Sequence, residues 1–152
     1  MNYDWDVKKY PSKMVYFRGR LRTSEKTRRF IMTISNAIIK ITNLRLRTYI
    51  GFNPDEREKK QDVVINAEIH YPTSRDCLSD NVSAALDYKQ ITKKVIQHVE
   101  EGQFLLLEKL VADVLQICAE PACVTHAQVT VDKPHALRFA DSVSLTLQYH
   151  KS

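Results

Sequence analysis

From Ala37 onward, apolar and polar residues fall into regular periods. Residues 37–49 (AIIKITNLRLRTY) are rich in β-branched side chains, and Leu44 and Leu46 alternate with Arg45 and Arg47, which predicts a strand. A charged, turn-rich stretch follows at 51–61 (GFNPDEREKKQ). Val63, Ile65, Ala67, Ile69 and Tyr71 then alternate with Val64, Asn66, Glu68 and His70, the pattern of a half-buried strand. Pro72 ends it, because proline has no N–H to give the ladder. Asp87 with Gln90 three residues on is a capping-box signature, and it places Tyr88 at the first helical position. Ile91, Val95 and Val99 repeat every four residues until Gly102, which is expected to stop the helix. A second helix is expected to begin near Phe104, with Leu107, Leu110, Val111, Val114, Ile117 and Cys118 in one broad apolar arc and Pro121 beyond its end. Alternation returns at 124–132 and again at 142–150.

The order is therefore β-β-α-α-β-β, an α+β domain in which two amphipathic helices cover one face of a four-stranded antiparallel sheet. Neither outer strand is rich in proline or edge lysines, so its open edge is expected to pair with a neighbouring subunit. Sheets joined in this way around a ring close into a larger barrel. Residues 1–31 show no clean period and mix Trp5, Tyr10, Tyr16 and Phe17 with basic side chains. The chain divides into a poorly ordered basic extension at 1–35 and a domain at 36–152. Met32 just before the first strand fits an upstream start codon for residues 1–31, with a helical appendage as the alternative.

Charge changes the picture only once it is divided. The net charge of +5 splits into +6 over residues 1–35, where nine Lys and Arg face Asp4, Asp6 and Glu25, and −1 over the remainder. A nucleic-acid partner would need a basic stripe on the folded domain, and there is none; the leader reads as a solvated tail, with contact to nucleic acid or an anionic lipid as the alternative. No apolar run approaches the ~20 residues of a membrane span, and the N-terminus lacks a signal-peptide core. At 152 residues the chain supports one real core. Cys77, Cys118 and Cys123 form no CxxC and are odd in number, which fits the reducing cytoplasm rather than a disulfide framework. The five histidines form no HxH or HExxH pair, and no metal is expected; His70 and His150 fall on polar strand positions and read as surface residues.

Several segments in order carry a resemblance: NLRLRTYIG (43–51), QDVVIN (61–66), LDYKQITK (86–93), LLLEKL (105–110) and VDKPHALRFADSVSLTL (131–147). Together they resemble the dihydroneopterin aldolase family, and within it the bacterial epimerase branch, over essentially all of 36–152. The resemblance implies the tunnelling fold, in which subunits form a tetrameric ring with active sites between neighbours and two rings commonly stack into an octamer. Its substrate is a small pterin, and its chemistry uses no cofactor, metal or Schiff base. Carried over by position, the catalytic residues implied are Glu56, five after Gly51, Tyr88 and Lys133. The substrate-binding residues implied are Gln61, Leu107 and Glu108.

Each of these roles has a physical basis and a plainer alternative. One carboxylate at Glu108 can accept two parallel hydrogen bonds from the amino group and adjacent ring N–H of a pterin, or it can be a solvated helix-edge glutamate. Lys133 precedes Pro134, which keeps it extended, and beside an apolar wall a lysine can exchange protons near neutrality. Tyr88 can present its hydroxyl to a substrate hydroxyl, or it can pack on the core. Within the charged loop only the resemblance separates Glu56 from Asp55 and Glu58. The reaction implied is retro-aldol cleavage between C1′ and C2′ of dihydroneopterin triphosphate, with readdition from the other face inverting C2′. The alternative is an aldolase that releases the fragment. Fragment retention is the expected difference: cations at Arg138 and His135, and Arg47 on the first strand, would grip the triphosphate tail. For Arg47 the plainer alternative is a place on the wet face of the sheet.

Overall fold

The structure, a computed structural model, describes residues 36–152. The expectations for the basic extension, its boundary and its start codon lie outside the described residues. The elements run β1 (Asn36–Ile50), α1 (Pro54–Glu58), β2 (Gln61–Pro72), α2 (Arg75–Leu78), a 3₁₀ turn (Val82–Ala84), α3 (Tyr88–Glu101), β3 (Gln103–Phe104), α4 (Leu107–Ala119), β4 (His126–Pro134) and β5 (Ser142–His150). The strand order is β3-β1-β2-β4-β5, with β3 parallel to β1 and every other pairing antiparallel.

Alternation becomes a two-faced sheet. Val63, Ile65, Ala67 and Ile69 on β2 and Ala127, Val129 and Val131 on β4 are buried on one face. Ile91, Val95 and Val99 from α3 and Leu110, Val111, Val114 and Cys118 from α4 close over them as one core. The α3 start is as predicted: Asp87 Oδ1 accepts from the Gln90 backbone N–H at 2.9 Å. β1 carries a bulge between Ile41 and Leu44, where Asn43 takes a φ of 54° and its N–H donates to Asn66 Oδ1 at 2.8 Å. On the polar face the register lines up His70, His126 and His150 on three adjacent strands, with ring centroids 4.6 and 4.2 Å apart.

Three expectations are corrected. The sheet has five strands and is mixed, because Phe104 belongs to β3 and pairs with Ile50 rather than opening a helix; the second helix starts at Leu107. α3 ends at Gly102 as expected, in an extended conformation with φ and ψ of −81° and 163°. The value of glycine here is space: a Cβ there would overlap the Phe104 ring. The charged stretch after β1 contains α1, started by Pro54 at its first turn. The strand expected at 124–132 runs from His126 to Pro134, while Val124 is buried in the preceding turn.

The outer edge of β5 has no strand beside it among the described residues, and β3 covers β1 only at Tyr49 and Ile50. No helix among the described residues is long and apolar enough to cross a membrane.

Candidate active site

The site is built where β1 ends. Gly51 follows Ile50 with a φ of 133°, a conformation that side chains disfavour, and a Cβ there would also overlap the Glu56 carboxylate. Glycine thus turns the chain and leaves room for α1 to bring Glu56 back against the strand end. The Asn53 N–H donates to Glu56 Oε2 at 3.2 Å and fixes that carboxylate's second oxygen.

Lys133 continues the inward row of Ala127, Val129 and Val131 on β4, so its side chain enters the core and is only 10% exposed. A buried ammonium is costly unless paired. Lys133 Nζ donates to Glu56 Oε1 at 2.5 Å and to the Ile50 carbonyl at 3.1 Å. That carbonyl also accepts from Gln61 Nε2 at 2.8 Å, so both of its lone pairs are used. The hydrogen bond from Lys133 holds the Glu56 carboxyl below its usual range, against a smaller opposing effect of burial. Gln61 and Lys133 therefore converge on one backbone oxygen, and Glu56 joins the group through Lys133. Two of the three Nζ protons of Lys133 are engaged and one is left to address a ligand.

Glu56 lines a cleft of about 530 Å³ together with Gly51, Phe52, Phe104 and Leu105. The Gly51 N–H donates to the Phe104 carbonyl at 2.9 Å, which fixes the cleft's two walls to each other. Leu107 and Glu108 follow this wall in the first turn of α4. Leu107 packs on the core, whereas Glu108 is exposed and makes no hydrogen bond or ion pair among the described residues.

The remaining residues lie apart. Tyr88, 49% exposed, opens α3, while the other end of that helix is tied beside the site by Thr48 Oγ1, fully buried, donating to the Gly102 carbonyl at 3.3 Å. The 14 residues of α3 span about 20 Å, which keeps Tyr88 away from the Lys133 of its own chain. His135 and Arg138 are exposed in the turn after β4, where His135 and Phe139 have φ of 61° and 65°. Leu137 and Phe139 in the same turn face solvent. Arg47 is engaged on the polar face of the sheet, where its Nε lies 3.2 Å from Asp62 Oδ1 and it donates to the Lys60 carbonyl at 2.9 Å.

The Ile50 carbonyl and the Thr48 hydroxyl escape a reading of side-chain types. Gly51, a lone glycine after a strand, is the one sequence signal pointing to the first of them. Among the described residues, no group of three or more His, Cys, Asp and Glu side chains is arranged to hold a metal ion.

The sequence matches the family model described as dihydroneopterin aldolase over residues 39–148. It is 53% identical over 115 residues to dihydroneopterin triphosphate 2′-epimerase of Escherichia coli strain K12, covering 76% of this chain and 96% of that protein. The Pseudomonas aeruginosa protein of the same name is 48% identical, covering 76% of this chain and 94% of that one. The crystal structure of Escherichia coli dihydroneopterin aldolase in complex with neopterin superposes with a TM-score of 0.69 at 26% identity, covering 74% of this chain and 98% of that chain.

Proposed function

The chain belongs to the dihydroneopterin aldolase family, and from that premise we propose that it inverts C2′ of 7,8-dihydroneopterin triphosphate to give the dihydromonapterin form. One observation carries the epimerase reading over the aldolase reading: identity to two named epimerases is 53% and 48%, against 26% to the aldolase. The alternative remains an aldolase that releases 6-hydroxymethyl-7,8-dihydropterin and glycolaldehyde, since both reactions share the cleavage step.

The pterin ring lies in the cleft, with Glu108 accepting its amino and ring N–H protons in parallel and Leu107 supporting it. A base takes the 2′-hydroxyl proton, the C1′–C2′ bond breaks, and its electron pair enters the dihydropterin ring. That ring is its own electron sink, so no cofactor is required. Lys133, oriented by Glu56, Gln61 and the Ile50 carbonyl, exchanges the proton on the ring side. Tyr88 works at the side-chain hydroxyl. Readdition of the aldehyde from its other face closes the cycle.

Tyr88 meets Lys133 only if a second copy supplies it. The length of α3, the open edge of β5 and the exposed Leu137 and Phe139 all support a ring of subunits with sites at their seams, four to a ring and two rings stacked. His135 and Arg138, which follow Lys133, hold the triphosphate of the cleaved fragment and keep its effective concentration high. The three free thiols support a reducing compartment, the cytoplasm.

Chromatography of the pterins formed from dihydroneopterin triphosphate tests this function. The inverted triphosphate should accumulate, and accumulation of the hydroxymethyl pterin alone would establish the aldolase instead.

A further inference from the structure

The charges of α3 run against its dipole. Lys89, Lys93 and Lys94 occupy its N-terminal half, where the N-cap Asp87 is the one carboxylate and is engaged by the Gln90 N–H, and Glu100 and Glu101 lie at its C-terminal end near His98. Both placements are unfavourable for an isolated helix, and Lys89 and Lys93, four residues apart, also repel each other. Lys94 is relieved by Glu120 at 2.6 Å. Lys40, Lys109 and Lys133 likewise each reach a carboxylate. Lys89 and Lys93 reach none, and neither side chain makes a hydrogen bond among the described residues. Their side chains, with Tyr88, Thr92 and Ile96, line a depression of about 370 Å³. Two lysines without a carboxylate partner thus share this depression with the tyrosine.

We propose that Lys89 and Lys93 form the subsite for the polyphosphate tail of the substrate, contributed to each site by the copy that supplies Tyr88. The proposal rests on the functional reading above, and it adds cations from the neighbouring copy to the His135 and Arg138 already assigned to the tail. If Tyr88 handles the side-chain hydroxyl, the tail leaves the next carbon of that side chain, beside these lysines. A polyanion can engage both cations at once.

The test uses the full chain with Lys89→Ala and Lys93→Ala combined. Turnover is measured on dihydroneopterin triphosphate and on tail-less dihydroneopterin, with inorganic tripolyphosphate as both competitor and directly titrated ligand. The advantage of the triphosphate in kcat/KM should fall by roughly tenfold or more for each lysine removed, while tail-less turnover is unchanged. Tripolyphosphate should bind and inhibit wild type but not the variant, and a variant with arginine at both positions should recover both effects. An unchanged preference for the tail would overturn the proposal. So would loss of the subunit assembly in the variant, which would assign the lysines to packing between copies. If tripolyphosphate binds through these lysines while wild type turns over neither pterin, the anion subsite stands and the functional reading falls.

Discussion

Lys133 Nζ meets Glu56 Oε1 at 2.5 Å although 77 residues separate the two in the chain. The contact joins the end of β4 to the turn after β1, and both partners lean on the same strand end through Gly51 and the Ile50 carbonyl. The ion pair is thereby held by two regular elements rather than by a free loop.

Lys133→Met keeps much of the packing volume and removes the charge. Turnover should fall roughly 10²–10⁴-fold, the usual contribution of a positioned acid or base. Sedimentation should show the assembly intact. A variant within a few-fold of wild type would remove Lys133 from the chemistry.

Gly51→Ala tests the turn. Its φ of 133° and the overlap of any Cβ with the Glu56 carboxylate both oppose a side chain there. Denaturant unfolding should show a loss of about 1–3 kcal/mol, accompanied by reduced turnover because Glu56 is displaced from Lys133.

The pH dependence follows from the depressed Glu56 carboxyl. A carboxyl whose value is lower in the folded state contributes stability that is complete above its unfolded value, about 4.3, and is lost as pH falls through the folded one. Wild type should therefore lose this increment on the acid side, below about pH 4. Glu56→Gln should lack that portion of the slope when unfolding is followed across the acid range. Parallel profiles for the two proteins would contradict the ion pair.

Arg138→Ala tests retention of the cleaved fragment. With the tail held less firmly, a larger share of the aldehyde should escape, and the ratio of hydroxymethyl pterin to inverted triphosphate should rise. An unchanged product ratio would show that Arg138 does not hold the tail.

The thiols give an independent check on packing. Burial pushes the Cys118 thiol up to about 12, whereas Cys123 is exposed. A thiol reagent should modify Cys123 in the native protein at once and Cys118 only after unfolding.

The long strands and both main helices were legible because their faces are either buried or wet along their whole length, as in the alternating row from Val63 to Tyr71. β3 was not, because two residues carry no period and Phe104 is held by its pairing with Ile50. The histidine row failed for the same reason: His70, His126 and His150 become neighbours only through register. Glu56, Gln61 and Lys133 were named through family resemblance, since a glutamate in DEREKK and a strand-end lysine are each ordinary. Gln61 and Lys133 meet at a main-chain oxygen, which no residue letter encodes, and Glu56 joins them through Lys133. The separation of Tyr88 from that group was implicit in the length of α3, yet its meaning appears only once the other end of the helix is fixed beside Ile50.

The central claim is that catalysis occurs at a seam between two copies, with Lys133 from one and Tyr88 from the other. Co-assembly of Lys133→Ala with Tyr88→Phe, each inactive alone, tests it most directly. In mixed rings about one seam in four combines an intact Lys133 with an intact Tyr88, so activity should return to roughly that fraction of wild type. Mixed assemblies as inactive as either parent would contradict the account.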